Sequence, residues 1–461
     1  MGAGVSNWRL ARAVARRGQM GVVSGTALDT ILVRRLQDGD VGGHVRRAMD
    51  HFPIAHVSVN VLRRYFLPEG RPAGQPYRLL PMYKQVVSAG REQITMLANF
   101  VEVHLAKESH GGPIGINLLT KVQLPNLASI YGAMLAGVDY VLMGAGIPRE
   151  IPGVLDAFAD HRPATLRLDV QGPPGDEPEY LSLDPRAHGV EPRARPLSRP
   201  RFIAIVAASS LATTLARKAS GRVDGFVVEG PTAGGHNAPP RGEPHTNARG
   251  EPVYGERDVV DLARVAELGV PFWLAGGAGS PERLREARAM GAAGVQVGTL
   301  FAYCEESGLA DNLKREVLAH AARGEIDVLT DPRASPTGFP FKVVSWPGSD
   351  IAARARVRKC DLGYLRTAYR DAEGRIGFRC PAEPVDSYIR KGGTLAETEG
   401  RRCLCNGLVA NIGMPQLRDE DTLEPPLLTS GDDLLSIGSF LGARTSYAAA
   451  DVVDYLLGAH P

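Results

Sequence analysis

A histidine follows a glycine-rich break at the end of an apolar segment, and this arrangement is the one best suited to chemistry. Residues 224–228 read Asp-Gly-Phe-Val-Val, and residues 229–236 read Glu-Gly-Pro-Thr-Ala-Gly-Gly-His. Gly234 and Gly235 have no Cβ, so the backbone can pass close to a flat ligand. His236 would then lie at the carboxyl end of a strand, where parallel α/β folds place their reacting groups. Because an imidazole has an unperturbed pKa of about 6.5, it suits a general base near neutral pH.

Two further glycine turns follow apolar segments closer to the C-terminus. Residues 275–281 read Ala-Gly-Gly-Ala-Gly-Ser-Pro, and residues 296–299 read Gln-Val-Gly-Thr. Adjacent backbone amides in such turns, backed by a helix N-terminus, can hold a phosphate. Tight connections also use glycine for steric reasons alone. The presence of two such turns at successive strand ends favours a phosphate site.

Short apolar runs alternate with helix-like segments along most of the chain. The runs are continuous rather than alternating, which is typical of a parallel sheet covered on both faces. The order predicts an α/β fold, either a closed barrel or a doubly wound sheet. The predicted strands are 21–24, 113–118, 139–143, 202–206, 225–228, 270–275 and 294–297, and the predicted helices include 8–17, 210–219, 259–268, 281–290 and 447–457.

A closed barrel of this type needs eight strands, and seven are found. Residues 1–6 read like the loop after a first strand, so we expect that strand to be missing from this sequence; either the natural start lies further upstream or another segment closes the barrel. The predicted architecture is a (β/α)8 barrel (TIM barrel) over residues 1–328, followed by a C-terminal extension, 329–461, packed on it. Insertions are expected at 30–108, 171–201 and 237–258. The last of these directly follows His236, so it is either a lid over a site or a structureless spacer.

Composition and charge exclude several classes of protein. The chain has 461 residues, of which 53 are Lys or Arg and 51 are Asp or Glu, giving a net charge of +2. This balance gives no electrostatic argument for nucleic acid or an anionic membrane. There is no signal-peptide pattern and no apolar run of 18 residues, so we expect a cytoplasmic protein without membrane spans.

Five cysteines are present, without the spacing of a disulfide framework. Cys304 is expected in the barrel core. Cys360, Cys380, Cys403 and Cys405 lie in the extension, where a four-thiolate zinc or iron–sulfur site competes with reduced, unliganded thiols. The single residue between Cys403 and Cys405 is short for a zinc pair, so no metal is expected. The histidines outside the glycine motif are expected to be structural or at the surface; they include His104, His110, His161, His188 and His245.

Taken in order, the motifs at residues 234–236, 275–277 and 295–299 resemble the nitronate monooxygenase family, formerly called 2-nitropropane dioxygenases. The resemblance runs from the N-terminus to about residue 307, with large insertions. It implies an FMN-dependent β/α barrel. The FMN-dependent enoyl-acyl-carrier-protein reductases are similar in the same places. Thr232 departs from the family's usual motif, which has glutamate there.

The resemblance also assigns roles to single residues. His236 stands at the histidine that acts as catalytic base or acid. Asn117 would lie near the flavin ring, and Glu229 would contact the flavin or its ribityl chain. Gly234 would let the backbone pass the ring. The remaining cofactor positions are Gly2 and Ala3 in a loop at the flavin, Gly235 beside the ring, and Gly276, Gly277, Gln296, Val297, Gly298 and Thr299 on the phosphate side.

Three functions are compatible with these observations. The first is an FMN oxidoreductase that oxidises nitronates or related carbon acids with dioxygen. The second is an FMN enoyl reductase that acts on acyl thioesters with NAD(P)H. The third is a non-catalytic flavin-binding module that works with a partner. The expected partners are a small-molecule substrate and dioxygen, and a homodimer is possible. No Gly-x-Gly-x-x-Gly fingerprint of a classical dinucleotide domain follows a predicted strand.

Overall fold

The computed structural model describes residues 2–173, 177–190, 195–243, 245–349, 356–419 and 422–458. Met1 and parts of the predicted insertions (174–176, 191–194 and 244) lie outside the described residues. The strands are β1 (Gly21–Ser24), β2 (Ile114–Leu119), β3 (Tyr140–Gly144), β4 (Ala164–Arg167), β5 (Val170–Gln171), β6 (Tyr180–Leu183), β7 (Arg201–Val206), β8 (Gly225–Glu229), β9 (Phe272–Ala275), β10 (Gly294–Gln296), β11 (Asp327–Asp331), β12 (Phe341–Ser345), β13 (Thr367–Arg370), β14 (Ile376–Arg379), β15 (Leu417–Asp419) and β16 (Thr422–Leu423).

Helices flank these strands along the chain. They are α1 (Trp8–Arg16), α2 (Leu28–Gln37), α3 (His44–Met49), α4 (Ala55–Tyr65), α5 (Ala89–Lys107), α6 (Asn126–Leu135), α7 (Ile151–Ala159), α8 (Ser209–Lys218), α9 (Leu262–Ala266), α10 (Pro281–Ala289), α11 (Thr299–Ala302), α12 (Asp311–Ala322), α13 (Val385–Arg390), α14 (Leu395–Thr398), α15 (Leu404–Ala410), α16 (Ile437–Leu441) and α17 (Ala449–Leu457), with 3-10 turns at Pro185–His188, Glu256–Asp258 and Asp432–Ser436.

One parallel sheet forms the centre of the molecule. Its strand order is β1-β2-β3-β7-β8-β9-β10, and every neighbouring pair is parallel. Each of the seven apolar runs predicted as a strand is in this sheet. Helices connect most of the strands, as parallel crossovers require. The prediction of an α/β fold is therefore confirmed.

The sheet curls so that distant strands share one inner face. Leu142 on β3, Val227 on β8 and Ala275 on β9 form one buried cluster, and Val22 on β1 and Trp273 on β9 pack against it. Side chains from β1, β3, β7, β8 and β9 thus line one continuous inner face of the curled sheet. The seven strands thus form a barrel-like sheet. No pairing between β1 and β10 occurs among the described residues.

The N-terminal segment runs along the gap between the two sheet edges. The backbone amide of Ser24 at the end of β1 donates to the carbonyl of Ser6 at 2.8 Å. The amide of Gly308, which follows β10 and α11, donates to the carbonyl of Val5 at 2.8 Å. These bonds tie the loop before α1 to both sides of the sheet at its carboxyl end.

The first insertion is helical, as predicted, and packs on the outside of the sheet through α5. Asp29 on α2 and Arg91 on α5 form a buried ion pair with a 2.7 Å separation. The hydroxyl of Tyr364, in the C-terminal segment, also donates to Asp29. Burying a charged pair is tolerable only with such additional hydrogen bonds. The network joins the helical insertion to the C-terminal segment.

The C-terminal segment packs with α1, α11 and α12 in a second core and reaches the carboxyl end of the sheet. Strands β11 and β12 pair antiparallel, and the residues beyond them form a second buried cluster with α11, α12, α16 and α17. The amide of Lys342 on β12 donates to the carbonyl of Gly235 at 3.0 Å, and the amide of Asn237 donates to Pro340 at 2.9 Å. The loop after β8 is therefore held by β12. Among the described residues, no helix combines the length and apolar character that a membrane span needs.

Candidate functional site

Three of the predicted cofactor residues share the inner face of the curled sheet. Glu229 pairs with Ala275, and Ala275 pairs with Gln296. Asn117 pairs with Leu142, which belongs to the same inner cluster as Ala275. Aligned residues of parallel strands point to the same side of a sheet. Asn117, Glu229 and Gln296 therefore face the interior of the curl at the carboxyl ends of β2, β8 and β10.

Glu229 lies on the inner face of the curled sheet and is partly exposed. It is the last residue of β8, and its side chain retains some contact with solvent. Burial nevertheless raises the pKa of its carboxyl to about 7. A carboxyl with that pKa is divided between its acid and base forms near neutral pH, so it can donate or accept a hydrogen bond there.

His236 is fixed from two sides by the C-terminal segment. Its Nε2 atom lies 2.6 Å from the Oγ of Ser335. Its ring packs edge-on against Phe341, with the ring centres 4.9 Å apart. Burial lowers the pKa of His236 to about 4, so the imidazole is neutral at physiological pH. A neutral, oriented imidazole can act as a general base.

The turn before His236 is held by one hydrogen bond within it and one to the C-terminal segment. The Nδ2 of Asn237 donates to the carbonyl of Ala233 at 3.0 Å. The amide of Gly235 donates to the Oγ1 of Thr429 at 2.9 Å. Gly235 has a φ of +84°, which a residue with a side chain rarely adopts, and no atom of the described residues lies within 4 Å of where a Cβ would stand. Gly235 therefore borders open space.

The turn after β9 needs glycine because Thr232 packs on it. Gly276 and Gly277 have φ values of +87° and +62°. A Cβ on Gly276 would lie 2.9 Å from both the amide nitrogen of Ala233 and the Oγ1 of Thr232. A Cβ on Gly277 would lie 3.1 Å from that same Oγ1. These glycines are thus explained by close packing between the loops after β8 and β9.

The turn after β10 is open and fits a bound phosphate better. Gly298 is exposed, and within the described part of the chain no atom lies within 4 Å of the position that a Cβ would take there. Thr299, next in the chain, is 8% exposed and presents its hydroxyl at this turn. A phosphate would find open space here beside a hydroxyl, whereas the turn after β9 is filled by Thr232. Val297 lies between Gln296 and this turn and is partly exposed.

Three further predicted cofactor positions, besides Gly276 and Gly277, contact protein instead of open space. A Cβ on Gly234 would lie 2.6 Å from the amide nitrogen of Gly431 and 2.7 Å from the carbonyl carbon of Ser430. The close approach at Gly234 is therefore to the C-terminal segment. Ala3 is buried in the second core, and Gly2 packs near Val5.

Sequence reasoning missed the contribution of the C-terminal segment to this site. Ser335 contacts His236, and Thr429 and Gly431 contact the loops after β8 and β10. The one available signal is the turn-rich stretch 331–340, which by itself indicates no contact with a site. The lid or spacer at 237–258 is anchored to β11, since Arg249 pairs with Asp327 at 2.8 Å.

The four cysteines of the C-terminal segment converge, although their spacing does not indicate it. Cys360, Cys380, Cys403 and Cys405 line one small cavity of about 10 Å³. Among the described residues, no three His, Cys, Asp or Glu side chains are arranged to hold a metal ion. Cys304 is fully buried, in the second core rather than in the inner face of the sheet.

Known proteins resemble this chain in the region that carries the site. A family model described as nitronate monooxygenase matches residues 190–331. The nitronate monooxygenase of Pseudomonas aeruginosa is 31% identical over 198 residues, which is 42% of this chain and 49% of that relative. The chain thus spans about half the length of the curated relative it matches.

Two solved structures are also similar over most of the chain. FabK from Thermotoga maritima is 15% identical, with a TM-score of 0.45, and the match covers 98% of this chain and 88% of FabK. The nitroalkane oxidase from Streptomyces ansochromogenes is 15% identical, with a TM-score of 0.44, and the match covers 99% and 93%. These likenesses are distant, so the assignment rests on the sequence matches. The nitronate monooxygenase family model thus matches the region of this chain, residues 190–331, that contains His236 and the three glycine turns.

Proposed function

We propose that this protein is an FMN-dependent oxidoreductase that oxidises nitronates or related carbon acids with dioxygen. The observation that supports it most strongly is His236: a neutral imidazole, oriented by Ser335, at the carboxyl end of β8. It lies within the segment matched by the nitronate monooxygenase family model. The flavin and the substrate are both part of this proposal.

The residues around the site fit FMN. Gly298 and Thr299 would hold the phosphate, because the turn is open and carries a hydroxyl. Asn117 and Glu229 would contact the ring or the ribityl chain, since both face the inner side of the sheet. When bound, the isoalloxazine supplies the electron transfer. The protein supplies position and a defined electrostatic environment.

His236 would accept a proton from the carbon acid. Its lowered pKa keeps the acceptor nitrogen free of a proton at working pH. Ser335 and Phe341 restrict how the ring can turn. A base held in one orientation speeds proton transfer, because the entropy cost of aligning the reacting groups has already been met on binding. Glu229, with a pKa of about 7, could hold or release a proton near the flavin.

The deciding experiment is anaerobic reduction of the bound flavin. Denaturing the purified protein should release FMN. A nitronate added without oxygen should bleach the flavin absorbance, and readmitted dioxygen should restore it. Reduction by NADPH but not by a nitronate would overturn the proposed substrate and favour the enoyl reductase. Binding of FAD, or of no flavin when FMN is added, would contradict the proposal as a whole.

A further inference from the structure

Lys121 lies on the turn that follows β2, at the same end of the sheet as His236. The amide and the hydroxyl of Thr120 both donate to the carbonyl of Gly144 at the end of β3, each at 2.9 Å. These two bonds hold the start of the turn at the carboxyl end of the sheet. The backbone that carries Lys121 is therefore fixed next to the loops that form the site.

The side chain of Lys121 reaches the stretch that orients the proposed base. Its Nζ atom lies 4.9 Å from the centre of the Phe339 ring. An ammonium group over an aromatic face is attracted by the electrons of the ring. Phe339 belongs to the stretch 335–341, whose first and last residues contact His236. The same stretch thus contacts both the lysine and the histidine.

The charge of Lys121 is not paired with an acid. Among the described residues, its Nζ contacts the ring of Phe339 and forms no ion pair with a carboxylate. Lys342, on β12, differs because it is buried and pairs with Asp432 at 2.7 Å. Lys121 is partly exposed, as is His236. A compact cation without an acidic partner beside a partly open site can take an anionic ligand.

The charge of Lys121 acts on the imidazole of His236. Burial, and to a smaller extent the positive charge of Lys121, lower the pKa of His236. A like charge disfavours the protonated imidazole most strongly where water is partly excluded, as it is around this ring. The same cation would attract a negative charge that forms beside the imidazole.

The second ring nitrogen of His236 is free to accept a proton. Its Nε2 lies against the Oγ of Ser335, while Nδ1 has no hydrogen-bond partner in the part of the chain that the structure describes. With the ring proton on Nε2 and donated to Ser335, Nδ1 offers its lone pair. A carbon acid that gives its proton to Nδ1 becomes an anion next to the base.

We propose that Lys121 binds the negatively charged oxygens of the nitronate, both when a nitronate is the substrate and when His236 forms one from a nitroalkane. In the second case the C–H bond breaks, the proton goes to Nδ1 of His236, and the electron pair moves onto the nitro oxygens, which the Lys121 ammonium stabilises. This rests on the proposed function, since it takes a nitronate or nitroalkane as substrate. It adds a second catalytic residue, supplied by the turn after β2.

The test uses ethyl nitronate and nitroethane as separate substrates of the FMN-loaded protein. Ethyl nitronate is charged when it binds, so Lys121→Met should raise its KM about tenfold or more, the effect of losing a hydrogen bond to a charged group. Nitroethane is neutral when it binds and gains charge in the transition state. The same variant should therefore lower kcat for nitroethane by a similar factor and change its KM little.

Two further variants show whether the positive charge is responsible. Lys121→Arg keeps that charge and should retain most of the activity with both substrates. Lys218→Met removes an exposed lysine at the end of α8 and is the matched control, which should behave like the wild type. If melting curves show that Lys121→Met does not fold, Lys121→Gln takes its place.

A second readout needs neither flavin nor turnover. In the apoprotein, Lys121→Met should raise the pKa of His236, followed by NMR of the labelled imidazole, because a repelling charge has been removed. Lys121→Arg and Lys218→Met should leave that pKa unchanged. This measurement detects whether the two side chains are close enough to act on one substrate.

The outcomes separate this inference from the proposed function. If the wild type oxidises both substrates and the folded Lys121→Met variant keeps the wild-type KM for ethyl nitronate and kcat for nitroethane, the inference alone is overturned. An unchanged pKa of His236 in that variant would also overturn it. A wild type that oxidises neither substrate would overturn the proposed function and this inference with it.

Discussion

The Nε2 of His236 lies 2.6 Å from the Oγ of Ser335, a residue 99 positions later in the chain. Ser335 is fully buried, and its Oγ also contacts the Oγ1 of Thr337 at 2.8 Å and accepts from the amide of Thr337 at 3.2 Å. The residue proposed as base therefore belongs to the β8 loop, while the group that orients it belongs to the segment between β11 and β12. The site is assembled from both parts of the chain.

Replacing His236 should remove most of the turnover without releasing the bound FMN. His236→Ala is expected to keep FMN and to lower kcat with a nitroalkane, the carbon acid that must lose a proton, by about 10²–10⁴-fold, the usual contribution of a general base. Because burial lowers the pKa of His236 to about 4, wild-type kcat/KM should fall only as the pH drops through that value. Steady-state rates between about pH 3 and 8 measure both effects. Near-wild-type turnover in the folded variant would assign His236 to structure.

The sequence allowed the sheet and its inner residues to be predicted because both depend on local pattern. Seven continuous apolar runs became seven parallel strands. The family resemblance names Asn117, Glu229 and Gln296, and the structure brings them to one face because parallel strands stay in register. His236 could be placed because it follows a strand end directly.

The rest of the site depends on contacts that leave no local pattern. Ser335 meets His236 across 99 residues, and Thr429 meets Gly235 across 194. Small polar residues in turns have no periodicity that would indicate such pairing. The glycines of the β9 turn fit a phosphate site by sequence, whereas the structure shows Gly276 packed on Thr232. Glycine at a turn indicates a close approach, but its partner cannot be read from the local sequence.

Glu229 should make stability depend on pH. Its pKa is raised by burial from 4.5 to about 7, so the folded state holds the proton more tightly than the unfolded state. The stability this carboxyl contributes is present below pH 4.5 and is lost as the pH rises through about 7. Relative to Glu229→Gln, the apo wild type should lose about 2 kcal/mol of unfolding free energy between about pH 5 and 8.

Urea unfolding at several pH values measures that difference. The exposed Glu267→Gln variant serves as control and should follow the wild type at every pH. If Glu229→Gln also kept the wild-type pH dependence, the carboxyl would not be held in its acid form by burial.

The two glycine turns should respond differently to a branched side chain. At Gly298 no atom of the described residues would meet a Cβ, so Gly298→Val should leave the apo melting temperature nearly unchanged and weaken FMN binding strongly. At Gly277, with φ +62° and Thr232 close by, valine should lower apo stability as well, by about 1–2 kcal/mol. Gly255→Val, at another open glycine, is the control for Gly298→Val.

Flavin titration and apo melting curves, run side by side, measure these effects. Unchanged FMN affinity in Gly298→Val would show that the phosphate binds in another part of the molecule. A large loss of apo stability in that variant would mean that the turn after β10 is packed rather than open.

The cysteines of the C-terminal segment are expected to be reduced thiols that fill space. Burial raises the pKa of Cys360 to about 12 and also raises that of Cys380, so both thiols are protonated when no metal is bound. A hydrogen bond from Cys405 lowers the pKa of Cys403, so these two thiols already satisfy each other. Replacing both with alanine should cost about 1–2 kcal/mol of stability and leave flavin binding and turnover intact.

Elemental analysis and thiol titration together decide this point. We expect no stoichiometric zinc or iron in the purified protein, and five reactive thiols per chain after unfolding. The alternative is a metal site, because four thiols line one cavity. About one zinc or several irons per chain, lost together with folding in Cys403→Ala/Cys405→Ala, would show that the cavity is a metal site and that the thiols are deprotonated ligands. A matched Cys304→Ala variant, whose thiol lies apart from this cavity, should keep the metal in that case.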